Sequence, residues 1–424
     1  MRHPSLWQSC GVSRRGVVRV SRVLALLTLG VGALTACGSD ASGGRETLHW
    51  LTVPDRTPAF ALADACGESA GATIEVETLP ADIDEQRVEL VRRFAAHDDS
   101  VDVLSLSTSL TAELAAAGYL RTVPADVAGS LGVDVVPQAV EAATYKGKQV
   151  AMPWWLEPQL MWFRGTAAER AGIDTTQPVL WDDLLAGAER VGTTIQIDDP
   201  DGSALGDWVN VLVRAAGGTL VDGTGRSPKI GLDTDAGKTA AGIVQYVGEA
   251  GLGDGPSLDA PEKFARSDGG FMIAGSGIVT DPRLSTVVAD MQAVAYPVVG
   301  TESVASLSGV ELAVPADAPD PGAAFKAIEC LTSAESQLTM MLGSGHASVR
   351  PSTLATREVQ AAFPNASVIQ SAITTGVTAP PTPYWQRVRA GLRDTWLPVT
   401  SVSPTTTPKD SQRVVRDLVS GGLR

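Results

Sequence analysis

Between Glu46 and Gly118 the chain alternates short apolar runs with helical patterns, and no other feature constrains its fold as strongly. Thr47-Leu48-His49-Trp50-Leu51-Thr52 reads as a strand, and Pro54-Asp55-Arg56-Thr57-Pro58 turns the chain into a helix over about 59–68. Thr73 to Leu79 predicts a second strand, with Ile74 and Val76 between polar neighbours. Val88, Leu90, Val91 and Phe94 then recur at helical spacing. Val101 to Leu106 is a short buried strand, and Leu110 to Ala117 a helix closed by Gly118. This order predicts an α/β fold with a mostly parallel, helix-covered sheet. Ligands of such sheets sit beyond the carboxyl ends of the strands, here at Pro54-Asp55, Leu79-Pro80 and Ser107.

Further along, Tyr145-Lys146-Gly147-Lys148-Gln149 is a hairpin turn. Val150 to Trp155 and Leu160 to Arg164 read as two strands, and Gly309 to Pro315 as a late one. Helices are expected from Trp181, over 207–216, 234–249 and 323–332, and through the C-terminal segment.

The N-terminus carries a different signal. Arg14, Arg15, Arg19 and Arg22 precede an apolar or small run from Val23 to Thr35, and no acidic residue occurs before Asp40. A basic start, a short apolar stretch and a small-residue cleavage site describe a secretory signal over 1–36. The run is too short to span a bilayer comfortably, which takes about 20 residues. Leu34-Thr35-Ala36-Cys37 resembles the lipobox of bacterial lipoproteins, which implies cleavage before Cys37 and lipidation of its thiol. Residues 37–46, rich in Ser, Gly and Asp, read as a flexible tether.

Removing the leader leaves 388 of the 424 residues, enough for two lobes. Without the five leader arginines, 28 basic residues face 48 acidic ones, a net charge of −20. That acidity speaks against nucleic acid or anionic lipid as a partner. Cys66 and Cys330 remain after Cys10 and Cys37 are assigned to leader and anchor. An even pair in an exported chain is a candidate disulfide, and two separate buried thiols are the other reading.

Several segments in order carry a family resemblance. They are Glu85-Gln86-Arg87, Val101-Asp102-Val103-Leu104, Thr111-Ala112-Glu113-Leu114 and Met152-Pro153 before Leu160-Met161-Trp162-Phe163-Arg164. Trp208-Val209-Asn210, Gly309 to Val314 and Ser348-Val349-Arg350-Pro351 complete the set. Together they resemble the sugar-binding proteins of bacterial ABC importers, the family of the maltose-binding protein, and most closely its actinobacterial trehalose-binding lipoproteins. The resemblance implies two α/β lobes around a hinge, 47–153 plus 303–345 and 154–302 plus 346–424, with ligand in the cleft between them. It also places a cysteine on the first helix and one on the late helix, matching Cys66 and Cys330.

A sugar site needs flat apolar faces and planar polar groups. Trp154 and Trp155 supply aromatic surface at the hinge, although alternation along an extended segment points only one of them at the cleft. Asp55 is a candidate acceptor, and Glu157 aligns with a polar contact position of the relatives. Gln86 matches the Glu-Gln-Arg stretch, Ser107 stands where the trehalose binders carry aspartate, and Arg350 matches a ligand-facing arginine. Gly309 offers close backbone approach or a turn. Ala274-Gly275-Ser276-Gly277 replaces an asparagine–tryptophan pair, and Tyr384, with Trp385 beside it, is a substitute aromatic surface.

The reading that results is a monomeric, lipid-anchored receptor that hands a saccharide to ABC permease subunits, with neither cofactor nor metal. Its rivals are an exported carbohydrate-active enzyme using paired carboxylates and a sensor lipoprotein that no longer serves transport. No Gly-x-Ser-x-Gly elbow occurs, and His49, His97 and His346 have no zinc-type spacing.

Overall fold

The strand Glu46–Thr52 pairs in parallel with Ala72–Thr78 along its whole length, Glu46 opposite Ala72 and Thr52 opposite Thr78. Val103–Ser107 pairs in parallel on its other side. The helices Pro58–Ala70, Ile83–Ala95 and Thr108–Ala117 make the connections. Asp82 starts the second of these by accepting the Asp84 and Glu85 amides, and Arg92 and Arg93 occupy its last turn, matching the helix dipole at both ends. Gly118, at φ 80°, ends the third. The computed structural model describes residues 46–54, 58–225, 227–266, 268–300 and 303–421, so the leader, positions 37–45 of the tether with Cys37, and Asp55 lie outside the described residues, whereas Glu46, expected in the tether, opens the first strand.

The expected strands at Val150–Trp155 and Leu160–Arg164 are one strand, Met152–Arg164. Its first part pairs antiparallel with Ser306–Ala313, down to Pro158 opposite Leu307. Its second part pairs antiparallel with Gly269–Gly275, beginning at Gln159 opposite Gly275. Pro158 cannot donate to a ladder, and it sits where the partner on one side gives way to the partner on the other. That is why a proline that suggested a break is accommodated inside a 13-residue strand.

A strand the sequence reading passed over, Thr194–Asp198, pairs in parallel with Gly269–Gly275. One large sheet thus runs from Pro256–Ser257 through Thr194–Asp198, Gly269–Gly275, Met152–Arg164, Ser306–Ala313, Val103–Ser107 and Glu46–Thr52 to Ala72–Thr78, and two short hairpins stand apart from it.

Two hydrophobic cores flank this sheet. Trp50, Leu90, Leu106, Trp154, Leu312 and Ile328 belong to one. Leu160, Trp162, Trp181, Trp208, Phe271 and Trp396 belong to the other. From Ala143 onward the chain passes between the cores at Trp155 to Leu156, at Leu307 to Val310 and at Met340 to Met341. Val136 and Ala139, ahead of the first crossing, also pack into the second core. The two cysteines are bonded, with an S–S length of 2.04 Å and Cα atoms 5.4 Å apart, tying Pro58–Ala70 to the helix Pro321–Leu331.

Contacts also bridge the two cores away from the sheet. The Ile83 amide donates to the Asp201 carbonyl at 3.0 Å. The Gln386 side chain donates to the Ser109 carbonyl at 3.0 Å, and Arg393 pairs with Asp84 at 2.7 Å.

Candidate functional site

Where the cores meet beside the long strand, a cavity of about 280 Å³ is lined by Pro54, Glu157, Gln159, Asp198, Asp201, Asp207, Gly275, Asp281, Arg283, Ser308 and His346, among others. Glu157 and Gln159 alternate with buried neighbours along the long strand, which turns both toward this space. One Glu157 carboxylate oxygen, Oε1, accepts the Gly277 amide at 2.8 Å, and the other, Oε2, lies 3.0 Å from His346 Nδ1. The imidazole stacks on the Trp155 indole, with centroids 3.8 Å apart and an interplanar angle of 2°. A Cβ on Gly275 would come within 2.3 Å of Glu157 Oε1, so the glycine makes room for the carboxylate.

The opposite wall is acidic. Asp198 ends the strand Thr194–Asp198, and Asp207 lies in the first turn of the helix Ala204–Ala215. Burial pushes Asp198 up to about 7, with Glu157, Asp199 and Asp281 adding to the shift and Arg283 opposing it. Burial likewise pushes Asp207 up to about 7, Asp201 and Asp199 adding to the shift and Arg389 opposing it. Arg283 is gripped by Asp281 at 2.6 Å, donates to the Leu258 carbonyl at 2.8 Å and meets Glu262 at 3.1 Å, and its hydrogen bond to Asp281 raises its pKa further. Asp198 Oδ1 and Gln159 Oε1 are buried and meet no hydrogen-bonding group of the protein.

The residues singled out from sequence divide between this cavity and the scaffold. Glu157 and Gly275 line it, and Trp155 backs His346 from behind. Trp154 points the other way and packs edge-on against Trp50 at 5.5 Å, as the alternation required. Gly309 lies in the strand Ser306–Ala313, where a Cβ would stand 2.6 Å from the Trp155 carbonyl, so close approach rather than a turn explains it.

The others face elsewhere. The Gln86 amide donates to the Pro80 carbonyl at 2.9 Å. Ser107 caps the helix Thr108–Ala117. Buried Arg350 donates to the carbonyls of Thr332 at 3.1 Å and Leu131 at 3.0 Å, bonds that satisfy the main chain at a connection between the cores. Tyr384 precedes the helix Trp385–Trp396, its ring 5.8 Å from the Arg387 guanidinium carbon, and Trp385 is core.

Asp198, Asp207, Asp281, Arg283 and His346 were not among the expected site residues. Val191-Gly192 followed by Thr193-Thr194-Ile195-Gln196-Ile197 is a helix stop before a β-branched alternating run, a signal that locates Asp198 at a strand end. Asp281-Pro282 is a cap followed by an N1 proline, which locates Asp281 and Arg283 on a turn. His346 has no comparable local signal.

Residues 61–365 match the family profile described as bacterial extracellular solute-binding protein. The chain belongs to that family. This solute-binding protein is accordingly an extracytoplasmic binding protein by family, not an enzyme, and among its described residues no helix is long and apolar enough to cross a membrane.

Solved structures share its fold. The sugar-binding protein MalE from Xanthomonas citri superposes with a TM-score of 0.75 at 17% identity over 89% of this chain and 98% of its own. Maltose-bound MalE3 of T. maritima gives 0.74 at 18% over 88% and 99%. The GacH receptor of Streptomyces glaucescens GLA.O, solved unliganded and with acarbose, gives 0.73 at 17% over 88% and 98%.

Proposed function

We propose that this solute-binding protein captures a saccharide, trehalose or a related sugar, in the cavity beside Glu157 and delivers it to the permease of an ABC importer. The observation that carries the reading is the cavity itself. Most of its lining side chains are polar, and it is built on a strand that both cores share. Pockets between lobes, with few convergent polar groups, are where such folds hold small ligands. MalE of Xanthomonas citri is described as a sugar-binding protein and MalE3 of T. maritima was solved with maltose, which supports a sugar here as well.

The lobes we infer are 47–153 plus 303–345 and 154–302 plus 346–424, with hinge segments close to the crossings at Trp155 to Leu156, Leu307 to Val310 and Met340 to Met341. Asp84 with Arg393, and Ser109 with Gln386, then serve as contacts of the closed form, made when ligand shifts the population toward closure. Cys37, following the leader over 1–36, is the proposed lipid anchor that keeps the receptor beside its permease at the cell membrane. Asp55, three residues beyond Thr52 in the sequence, is a proposed further contact.

Titration calorimetry with trehalose, maltose and monosaccharides, paired with small-angle scattering, tests the reading. Stoichiometric binding without turnover, together with a smaller radius of gyration, is expected. A scattering profile unchanged at saturating sugar overturns lobe closure, and hydrolysis of the sugar overturns the receptor role.

A further inference from the structure

The charges of the cavity wall do not suit a neutral sugar. Five carboxyl groups line it, from Glu157, Asp198, Asp201, Asp207 and Asp281, against one guanidinium from Arg283 among the described residues. Arg283 is already committed to Asp281 and Glu262. Glu157 is held by His346 and the Gly277 amide, and Asp201 by the Ser203 amide at 3.0 Å. Asp207 is hydrogen-bonded by Ser203 and faces the charge of Arg389, which leaves Asp198; both are only 8% exposed. Asp198 lines the cavity, its buried Oδ1 has no hydrogen-bonding partner in the protein, and the charges around the carboxyl are mostly negative: Glu157, Asp199 and Asp281 against Arg283.

A sugar hydroxyl would satisfy that oxygen as a hydrogen-bond donor, but it would bring no charge to offset Glu157, Asp199 and Asp281 around Asp198. An ammonium group does both. It donates to Asp198 and adds the missing positive charge in a water-poor space, where charge-assisted hydrogen bonds are strongest. The net charge of −20 on the chain beyond the leader adds a long-range pull on any cationic ligand.

Resting on the reading of this cavity as a saccharide site, we propose that its preferred ligand is an amino sugar whose protonated amine lies against Asp198 and Asp207. Glu157, Gln159 and Ser308 are then left for its hydroxyls.

Calorimetry at pH 7 with trehalose and maltose, their singly aminated derivatives and the N-acetylated forms of those amines tests this. At least one amine is expected to bind about tenfold or more tighter than its neutral parent, and N-acetylation to abolish the gain. Asp198→Asn, with its melting temperature checked for folding, should bring the amine-to-parent ratio close to one. The same ratio measured at raised ionic strength separates a buried contact, which keeps it, from general attraction to an acidic surface, which loses it. Equal or tighter binding of the neutral parent overturns the inference and leaves the saccharide reading standing. Failure of every sugar, neutral or aminated, to bind overturns the saccharide reading itself.

Discussion

His346 lies flat on Trp155, with ring centroids 3.8 Å apart, and holds Glu157 through its Nδ1 at 3.0 Å. The indole fixes the plane of the imidazole, and the imidazole fixes a carboxylate oxygen, so an aromatic ring that does not itself line the cavity aims a polar group that does. His346→Ala removes the middle of this relay. Since hydrogen bonds to charged groups are worth roughly 1.5–3 kcal/mol, sugar affinity should fall about ten- to a hundredfold. Calorimetry reads the affinity, and a melting curve close to that of the parent shows that the fold is kept.

Gly275→Ala tests the same carboxylate from the other side. The new methyl would press on Glu157 Oε1 and also reach its Cγ at 2.7 Å, pushing the side chain off the Gly277 amide. Overpacking typically costs about 1–3 kcal/mol. We expect a folded protein with lowered melting temperature and with sugar binding reduced more than tenfold. Unchanged binding would show that Glu157 does not contact the ligand.

Glu311 gives a prediction about pH. It is buried in the strand Ser306–Ala313, accepts the Thr111 hydroxyl at 2.7 Å, and burial raises it to about 8. Asp198 and Asp207 are raised to about 7. A carboxyl that ionises later in the folded than in the unfolded chain binds more protons when folded, so stability falls as pH rises between the two values. The ligand-free protein should therefore melt lower at pH 8 than at pH 5, each group contributing on the order of 3 kcal/mol at most. Glu311→Gln keeps an acceptor for Thr111 and cannot ionise. Its melting temperature should exceed the parent's at pH 8 and match it near pH 5, which a pH series of calorimetric scans will show.

Reduction of the Cys66–Cys330 bond should destabilise the fold. The bridge closes a separation of 264 residues, and a long closed loop implies a stabilisation of up to about 5 kcal/mol. Cys66→Ala with Cys330→Ala should lower the melting temperature by several degrees without changing sugar affinity, because the bridge joins two helices of the first core away from the cavity.

The parts of this molecule that follow local rules were legible in its sequence. The alternation from Glu46 to Gly118 yields the parallel strands and their crossover helices, because hydrophobic period and helix stops are properties of neighbouring residues. Glu157, singled out by alignment with the relatives, and Gly275, singled out as a departure from them, both line the candidate cavity. Arg350 and Tyr384 matched motifs too, yet their surroundings involve them with main-chain carbonyls and Arg387. A motif records residue type, whereas the partner of a long side chain depends on segments far away in sequence. The acidic wall was missed for the same reason: Asp198, Asp207 and Asp281 come from three separate elements, and only the packing of the second core sets them around one space.

The place of Ser306–Ala313 in the sheet has a consequence for how the protein is made. That strand lies between Val103–Ser107 and Met152–Arg164, so the large sheet stays open in its middle until some three hundred residues have been synthesised. The second core waits longer, for the helices Trp385–Trp396 and Thr407–Ser420. A nascent chain of this design cannot complete either core early. The interleaving of the two cores along the chain delays the moment at which it can commit to a shape.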